Sequence, residues 1–328
     1  MKEEIRHNWT KDEIRTIHDS PLMELILKAG TVKSQYHDTN EVQLCHLISV
    51  KTGGCPEDCK YCPQSASSQT FVKAEPLVEL KRVMDDAQSA LEYGVTRICM
   101  GAAWRSVRDS PQFDRVLEMV KEVSSLGVEV CTCLGMLNEG QAKRLAEAGL
   151  YAYNHNVDTS PEYYSQIITT RTFQDRLDTL DTVEKAGISV CCGGIIGMGE
   201  SIEDRVSMLH VLATREKHPE SVPINMLISV SGTPLQSRPP VPIWDVVRMI
   251  ATTRIIMPQT MVRLSAGREG RSEAEQALCF LAGANSIFIG DKLLTTPNPD
   301  LNFDMQMMET LNLTARPAYK EVSACSCS

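Results

Sequence analysis

Three cysteines, Cys55, Cys59 and Cys62, stand at C-x3-C-x2-C inside the segment Lys51-Thr52-Gly53-Gly54-Cys55-Pro56-Glu57-Asp58-Cys59-Lys60-Tyr61-Cys62-Pro63-Gln64-Ser65. Pro56 and Pro63 keep this stretch out of regular helix and strand, so the three thiolates can converge on one small inorganic body. If that body is an iron–sulfur cluster of four irons, the loop supplies three ligands and leaves one iron open to a small molecule. Two plainer readings stand beside it. A structural zinc site would want a fourth Cys or His close by, and a disulfide would leave a spare thiol.

Further polar and sulfur-bearing residues fall inside apolar, strand-like runs. Asn154, Asn156 and Asp158 alternate, so on a regular strand all three face one side. Amides and a carboxylate inside a barrel are costly unless a polar ligand or a bracing hydrogen-bond network satisfies them. His155, between them, faces outward and is read as structural. Cys99, Cys131 and Cys191 occupy three separate runs and Arg263 a fourth. They could converge on a second metal centre, or the cysteines could simply be small apolar core residues. Periodicity does not choose between Cys131 and Cys133, which share a face, and it puts Cys191 and Cys192 on opposite faces. Cys45, Cys133, Cys192 and Cys279 are read as structural. Gly193-Gly194-Ile195-Ile196-Gly197-Met198-Gly199-Glu200 follows the fifth run, where glycines permit close approach of backbone to a ligand or only tight packing.

The elements that must position these residues alternate. Strand-like runs at 42–50, 97–101, 129–134, 152–157, 189–195, 224–229, 261–265 and 286–289 are separated by helical patterns at 75–93, 113–126, 139–148, 172–186, 202–215, 243–256 and 272–282. Gly94, Gly127, Gly149, Gly187 and Gly283 sit where helices should end. Eight strand–helix repeats predict an α/β fold, a closed (β/α)8 TIM-type barrel. A single domain over 1–328 is expected: a helical cover at 1–40, in which Thr10 and Glu13 form a capping box, a barrel core at 42–296 and a short tail at 297–328. The tail is expected to be disordered around one apolar helical patch at 305–311. Its Cys325 and Cys327 are weak evidence for a metal or dithiol site.

Of 328 residues, 42 are acidic and 33 basic, a net charge of −9 that argues against a nucleic-acid partner. No apolar run nears 18 residues and the N-terminus lacks the marks of a signal or transit peptide, so no membrane partner is expected and the chain reads as cytoplasmic. Twelve cysteines diluted in so long a chain point to metal or sulfur chemistry rather than a disulfide scaffold.

The cysteine loop, with Tyr61 before its last cysteine, resembles the radical S-adenosylmethionine (SAM) enzymes. Taken with Met100–Trp104, Tyr153–Pro161, Ile167–Thr172, Val222–Leu227, Val262–Glu269 and Leu293–Pro299, in order along the chain, it resembles the biotin synthase family in particular. That resemblance implies the same barrel and a sulfur-transferring enzyme that turns dethiobiotin into biotin. It implies a 4Fe-4S cluster on Cys55, Cys59 and Cys62 and a 2Fe-2S cluster on Cys99, Cys131, Cys191 and Arg263, choosing Cys131 over Cys133 and Cys191 over Cys192. An arginine is an odd iron ligand, since its guanidinium is normally protonated, and only the resemblance supports it. The resemblance further implies SAM contacts at Tyr61, Ala102, Ala103, Asp158, Arg176, Gly193, Ile195 and Gly197, and dethiobiotin contacts at Asn156 and Asn225. In the implied reaction an electron from a flavodoxin-type donor enters the 4Fe-4S cluster, SAM is cleaved to methionine and a 5′-deoxyadenosyl radical, and carbon radicals on the substrate capture sulfide from the 2Fe-2S cluster. A homodimer is implied as well. The rival readings are another radical SAM enzyme of similar barrel, such as a hydrogenase-maturation or pyrrolysine-pathway relative, and a non-catalytic iron–sulfur or zinc protein. The four strand residues present together argue against the first.

Overall fold

A computed structural model describes residues 5–319. The strand-like runs become β1 (Glu41–Lys51), β2 (Arg97–Ala102), β3 (Glu129–Cys133), β4 (Ala152–Asn154), β5 (Ser189–Cys191), β6 (Gly194–Ile196), β7 (Ser221–Met226), β8 (Met261–Leu264) and β9 (Ser286–Phe288). Neighbours pair in parallel and β1 bonds both β2 and β9, so the sheet closes into the expected barrel, with β5 and β6 sharing the fifth place. Around it lie α1 (Lys11–His18), α2 (Leu22–Tyr36), α3 (Leu80–Leu91), α4 (Pro111–Ser124), α5 (Glu139–Glu147), α6 (Tyr164–Ile167), α7 (Phe173–Lys185), α8 (Ile202–Ala213), α9 (Ile243–Ile256) and α10 (Glu273–Leu281). Ser110, Asn138, Thr172, Ser201 and Ser272 each accept a backbone N–H of the first turn, which sets where five of these helices begin. The Thr10–Glu13 capping box is present, and α1 and α2 pack on the outer helices α8, α9 and α10.

Several boundaries differ from expectation for local reasons. The third helix begins at Leu80, not 75, because Pro76 disfavours helical backbone at Glu75 and residues 75–78 instead run beside β1, Glu75 and Val78 donating to the carbonyls of Thr52 and Val50. The fourth strand stops at Asn154 because the chain turns away at Asp158, whose φ of 67° is left-handed. The fifth breaks at Cys192–Gly193. The sixth starts three residues earlier than expected, at Ser221. Pro223, which has no N–H to pair, stands between the Cys191–Ser221 and Gly194–Ile224 pairings.

The tail departs most. Its described part, 297–319, is ordered: it completes a hairpin of β10 (Lys292–Leu293) and β11 (Thr296–Pro297), carries α11 (Leu301–Thr310) across the expected helical patch, and then forms β12 (Thr314–Ala315), which pairs with the start of β1. Asp304 of α11 meets Arg268 in a wholly buried ion pair. Cys325 and Cys327 lie outside the described residues. Beyond β12, Arg316 Nη2 donates to Glu129 Oε1 (2.8 Å) and the Tyr319 N–H to the same oxygen (2.9 Å). Glu129 Oε2 accepts from Arg97 Nε (2.8 Å), and Arg97 reaches Glu220 with both terminal nitrogens (2.9 and 2.8 Å). Arg97 and Glu129 open β2 and β3 and Glu220 stands just before β7, so the network is the floor of the barrel.

Two outcomes follow for stability. Asp304→Ala leaves Arg268 buried without its counter-charge and should cost about 3–5 kcal/mol, whereas Arg268→Met/Asp304→Leu should recover much of that in thermal unfolding. Lys33 is 4 % exposed and burial pulls its ammonium down to about 8 from 10.5. Between those values the unfolded chain holds a proton the folded one lacks, so this group makes stability rise with pH. Lys33→Met should therefore be more stable than the parent at pH 7 and lose that advantage towards pH 10.5, as unfolding curves at both pH values would show.

Candidate active site

A cavity of about 250 Å³ runs down the barrel from the cysteine loop to Cys99, Cys131 and Arg263. Tyr61, Cys62, Asp158 and Ile195 line it near the mouth, Asn156 and Asn225 at middle depth, and Cys99, Cys131 and Arg263 at its lower end. Leu47 and Phe288, not singled out from sequence, complete it together with Met100 and the Leu293–Thr296 hairpin, which sequence marked only as parts of longer motifs. Cys55, Cys59, Cys191, Ala102, Ala103, Arg176, Gly193 and Gly197 do not line it. They stand behind it or beside its rim.

The cysteine loop is held by its own turns and by its neighbour. Cys62 N–H donates to Cys59 O (2.9 Å), Cys55 N–H to Gln64 O (2.9 Å), and Gly53 N–H to Gln64 Oε1 (3.0 Å). At Gly53 (φ 68°) a Cβ would sit 2.5 Å from the Lys73 carbonyl oxygen, so this entry to the loop requires glycine. Asp58 accepts the Thr169 N–H (2.9 Å), and Lys60 N–H donates to Ile167 O (3.1 Å), tying the loop to the segment after α6. Burial pushes the thiols up, Cys59 to about 12 and Cys62 to about 11. They would need a bound cation to give up their protons.

Whether the loop suits an iron–sulfur cluster is tested by what surrounds it. Arg171, near Cys55 and Cys59, keeps Nε and Nη1 buried without a hydrogen-bond partner among the described residues, and Glu57 alone balances it at 3.7 Å. A buried cation with spare donors beside three thiols fits a body that brings in negative charge. Among the described residues no three His, Cys, Asp or Glu side chains are grouped tightly enough to hold one metal ion. A single zinc needs its sulfurs about 2.3 Å from one point, whereas a multi-iron cluster spreads its thiolates over several metals.

At the lower end the register aligns Cys99 with Cys131 across β2 and β3, and Asn154 with Cys191 across β4 and β5. Proton sharing with Cys131 draws Cys99 and Cys191 towards thiolate, while the Cys131 thiol is itself pushed up. Arg263 directs Nη1 at Cys191 Sγ (3.7 Å), Nη2 at Gln43 Oε1 (3.3 Å) and Nε at Ser286 Oγ (2.9 Å). Cys133 lines the cavity but stands apart from this group, so depth in the barrel separates two residues that strand periodicity could not. Cys192 faces the outer core. Cys45, read as structural, belongs to the group. Its signal was available, because Gln43, Cys45 and Leu47 share the inward parity of β1.

The asparagines are braced as well as exposed to the cavity. Asn156 Oδ1 accepts the Gly193 N–H (3.0 Å) and Asn154 Nδ2 (3.3 Å), which leaves its amide N–H groups for a ligand. Asn225 donates to Gly194 O (3.0 Å) and accepts from the Ala266 N–H (3.3 Å). Asp158 pairs with Arg176, whose Nε donates to Tyr164 OH (2.9 Å). Gly197 N–H donates to Glu200 Oε1 (2.8 Å), closing the turn after β6. His155 is buried, and its Nε2 has no hydrogen-bond partner among the described residues.

Residues 49–212 match the radical SAM superfamily and residues 223–314 the biotin and thiamin synthesis associated domain. The chain is 61 % identical over 321 residues to the biotin synthase of Cytophaga hutchinsonii, covering 98 % of this chain and 95 % of that one. It is 59 % identical to that of Nostoc punctiforme, covering 95 % of each. Among solved structures, methylornithine synthase superposes with a TM-score of 0.75 at 18 % identity, covering 94 % of both chains. The hydrogenase maturase HydG of Carboxydothermus hydrogenoformans gives 0.75 at 16 %, covering 93 % of this chain and 74 % of that one. At such identities the likeness is one of fold.

The packing around the cavity can be checked directly. A Cβ on Gly193 would meet Pro223 O of β7 at 2.0 Å, a clash with backbone that no rotamer relieves. Gly193→Ala should lower stability by about 1–3 kcal/mol or more, read as a drop in thermal midpoint.

Proposed function

Since the chain belongs to the biotin synthase family of radical SAM enzymes, we propose that it inserts sulfur into dethiobiotin to form biotin, consuming SAM, with its two groups of thiols holding two iron–sulfur clusters. One observation carries this reading: a single cavity joins Cys62 at its mouth to Cys99 and Cys131 at its lower end, with amides and a carboxylate between. Cys55, Cys59 and Cys62 would hold a 4Fe-4S cluster, and Cys99, Cys131, Cys191 and Arg263 a 2Fe-2S cluster. When bound, the first supplies the electron that cleaves SAM to a 5′-deoxyadenosyl radical and the second supplies the sulfide.

The residues' share is binding, orientation and exclusion of water. Tyr61, Ala102, Ala103, Gly193, Ile195 and Gly197 shape the SAM site at the rim, where barrel active sites assemble. Asp158, held by Arg176 in a buried ion pair, offers SAM an acceptor that cannot swing away. The free N–H groups of Asn156 suit the ureido or carboxylate end of dethiobiotin, and Asn225 faces the same space. The apolar wall of Leu47, Met100 and Phe288 suits its alkyl carbons and keeps water from a radical. We extend the reading to a flavodoxin-type electron donor, a homodimer and a cytoplasmic site of action, on the family likeness. Among the described residues no helix is long and apolar enough to cross a membrane.

Two measurements test the assignment. Changing Cys55, Cys59 or Cys62 singly to Ala should abolish reductive SAM cleavage. Turnover of SAM by any of the three refutes the loop's role. Cys131→Ala should lose the iron and acid-labile sulfide of the second site while Cys133→Ala keeps them, and visible or Mössbauer spectra of the anaerobically loaded variants decide between the two residues.

A further inference from the structure

The 2Fe-2S assignment leaves a fourth sulfur unexplained. Cys45 is fully buried beside Cys99, in one cluster with Cys131 and Cys191. Its Sγ lies 3.6 Å from both Gln43 Oε1 and Ser286 Oγ. Those are the two oxygens that hold Arg263, at 3.3 and 2.9 Å. Thiol and guanidinium therefore occupy the same corner of the chamber and hang from the same pair of polar groups.

We propose that Cys45 is an exchangeable fourth ligand of the floor cluster, its thiolate able to take the iron position otherwise given to Arg263. The inference rests on the reading of Cys99, Cys131 and Cys191 as ligands of that cluster. The exchange is a proton transfer with no redox step. An arginine bound to iron must be a neutral guanidine, and when it leaves, the Cys45 thiol gives it its proton, so the Fe–N bond breaks as the Fe–S bond forms. Thiolate is the softer and more usual ligand of iron–sulfur clusters. Gln43 and Ser286 can serve either partner without rearranging.

The test uses the full chain with Cys55, Cys59 and Cys62 all changed to Ala, so that only floor iron is counted, loaded anaerobically with iron and sulfide. Arg263→Ala should keep most of its iron and acid-labile sulfide, with Fe–S stretching bands in resonance Raman shifted towards an all-cysteine pattern. Adding Cys45→Ala should reduce both counts to the level of Cys131→Ala. The proposal falls if Arg263→Ala alone empties the floor, or if the double variant holds as much iron as Arg263→Ala. Should Arg263→Ala fail to fold, Arg263→Lys poses the same question with the charge and stem kept. A Cys131→Ala variant that retains full floor iron would instead refute the floor-cluster assignment itself, which keeps the two failures distinguishable.

Discussion

Arg97 is buried under the barrel without exposure, and much of the site depends on the carboxylates that surround it. A guanidinium removed from water is tolerable only with counter-charges and filled donors. Glu129 and Glu220 provide both, and Arg316 from the tail balances the second oxygen of Glu129. This fixes more than charge. Gln43 Nε2 donates to Glu129 Oε2 (2.9 Å), so the amide must turn its oxygen upwards, towards Arg263, Ser286 and Cys45. A salt-bridge network at the closed end thus orients a neutral side chain, which in turn orients the groups nearest the lower thiols.

The opposite end is governed by backbone rather than charge. β4 ends early, Asp158 takes a left-handed conformation, and its carbonyl accepts the Ile195 N–H (2.8 Å). That bond joins the irregular end of the fourth strand to β6 and sets Asn156 against Gly193. The asparagines look into the cavity because they also complete the hydrogen bonding that the broken strands leave open. Their polarity is structural and ligand-directed at once, and neither role excludes the other.

The barrel was legible because strand and helix alternate eight times and many of the helices announce an end through a capping side chain or a glycine. The inward face of the fourth strand was legible through parity, whereas the choice of Cys99, Cys131 and Cys191 among the strand cysteines came from the family resemblance. Parity is blind to depth, however, which is why Cys131 and Cys133 were indistinguishable, and Cys45 was read as structural although it faces inward. The break in the fourth strand came from a non-glycine left-handed residue, which leaves no local sequence mark, and the break in the fifth from the packing of Gly193 against Pro223, which the paired glycines mark without fixing where the strand stops. The tail misled for a related reason. Its Pro, Asn and Asp content reads as loop, yet Asp300 caps α11, Asp304 answers Arg268 and Asn298 donates to the carbonyls of Phe288 and Gly290. Each partner is distant in sequence or hidden until the barrel has closed.

β1 is bonded on one side to β2 and on the other to β9, with β12 alongside its first residues. The strand made first therefore waits for the strands made last. During synthesis the early βα units can collapse on one another, but the seam beside β1 stays open until residues beyond 286 emerge, and Glu129 lacks Arg316 until later still. Such long-range pairing makes folding slow relative to local helix formation. It also gives the nascent chain an interval in which the lower thiols remain reachable from the side, a route that the finished barrel closes.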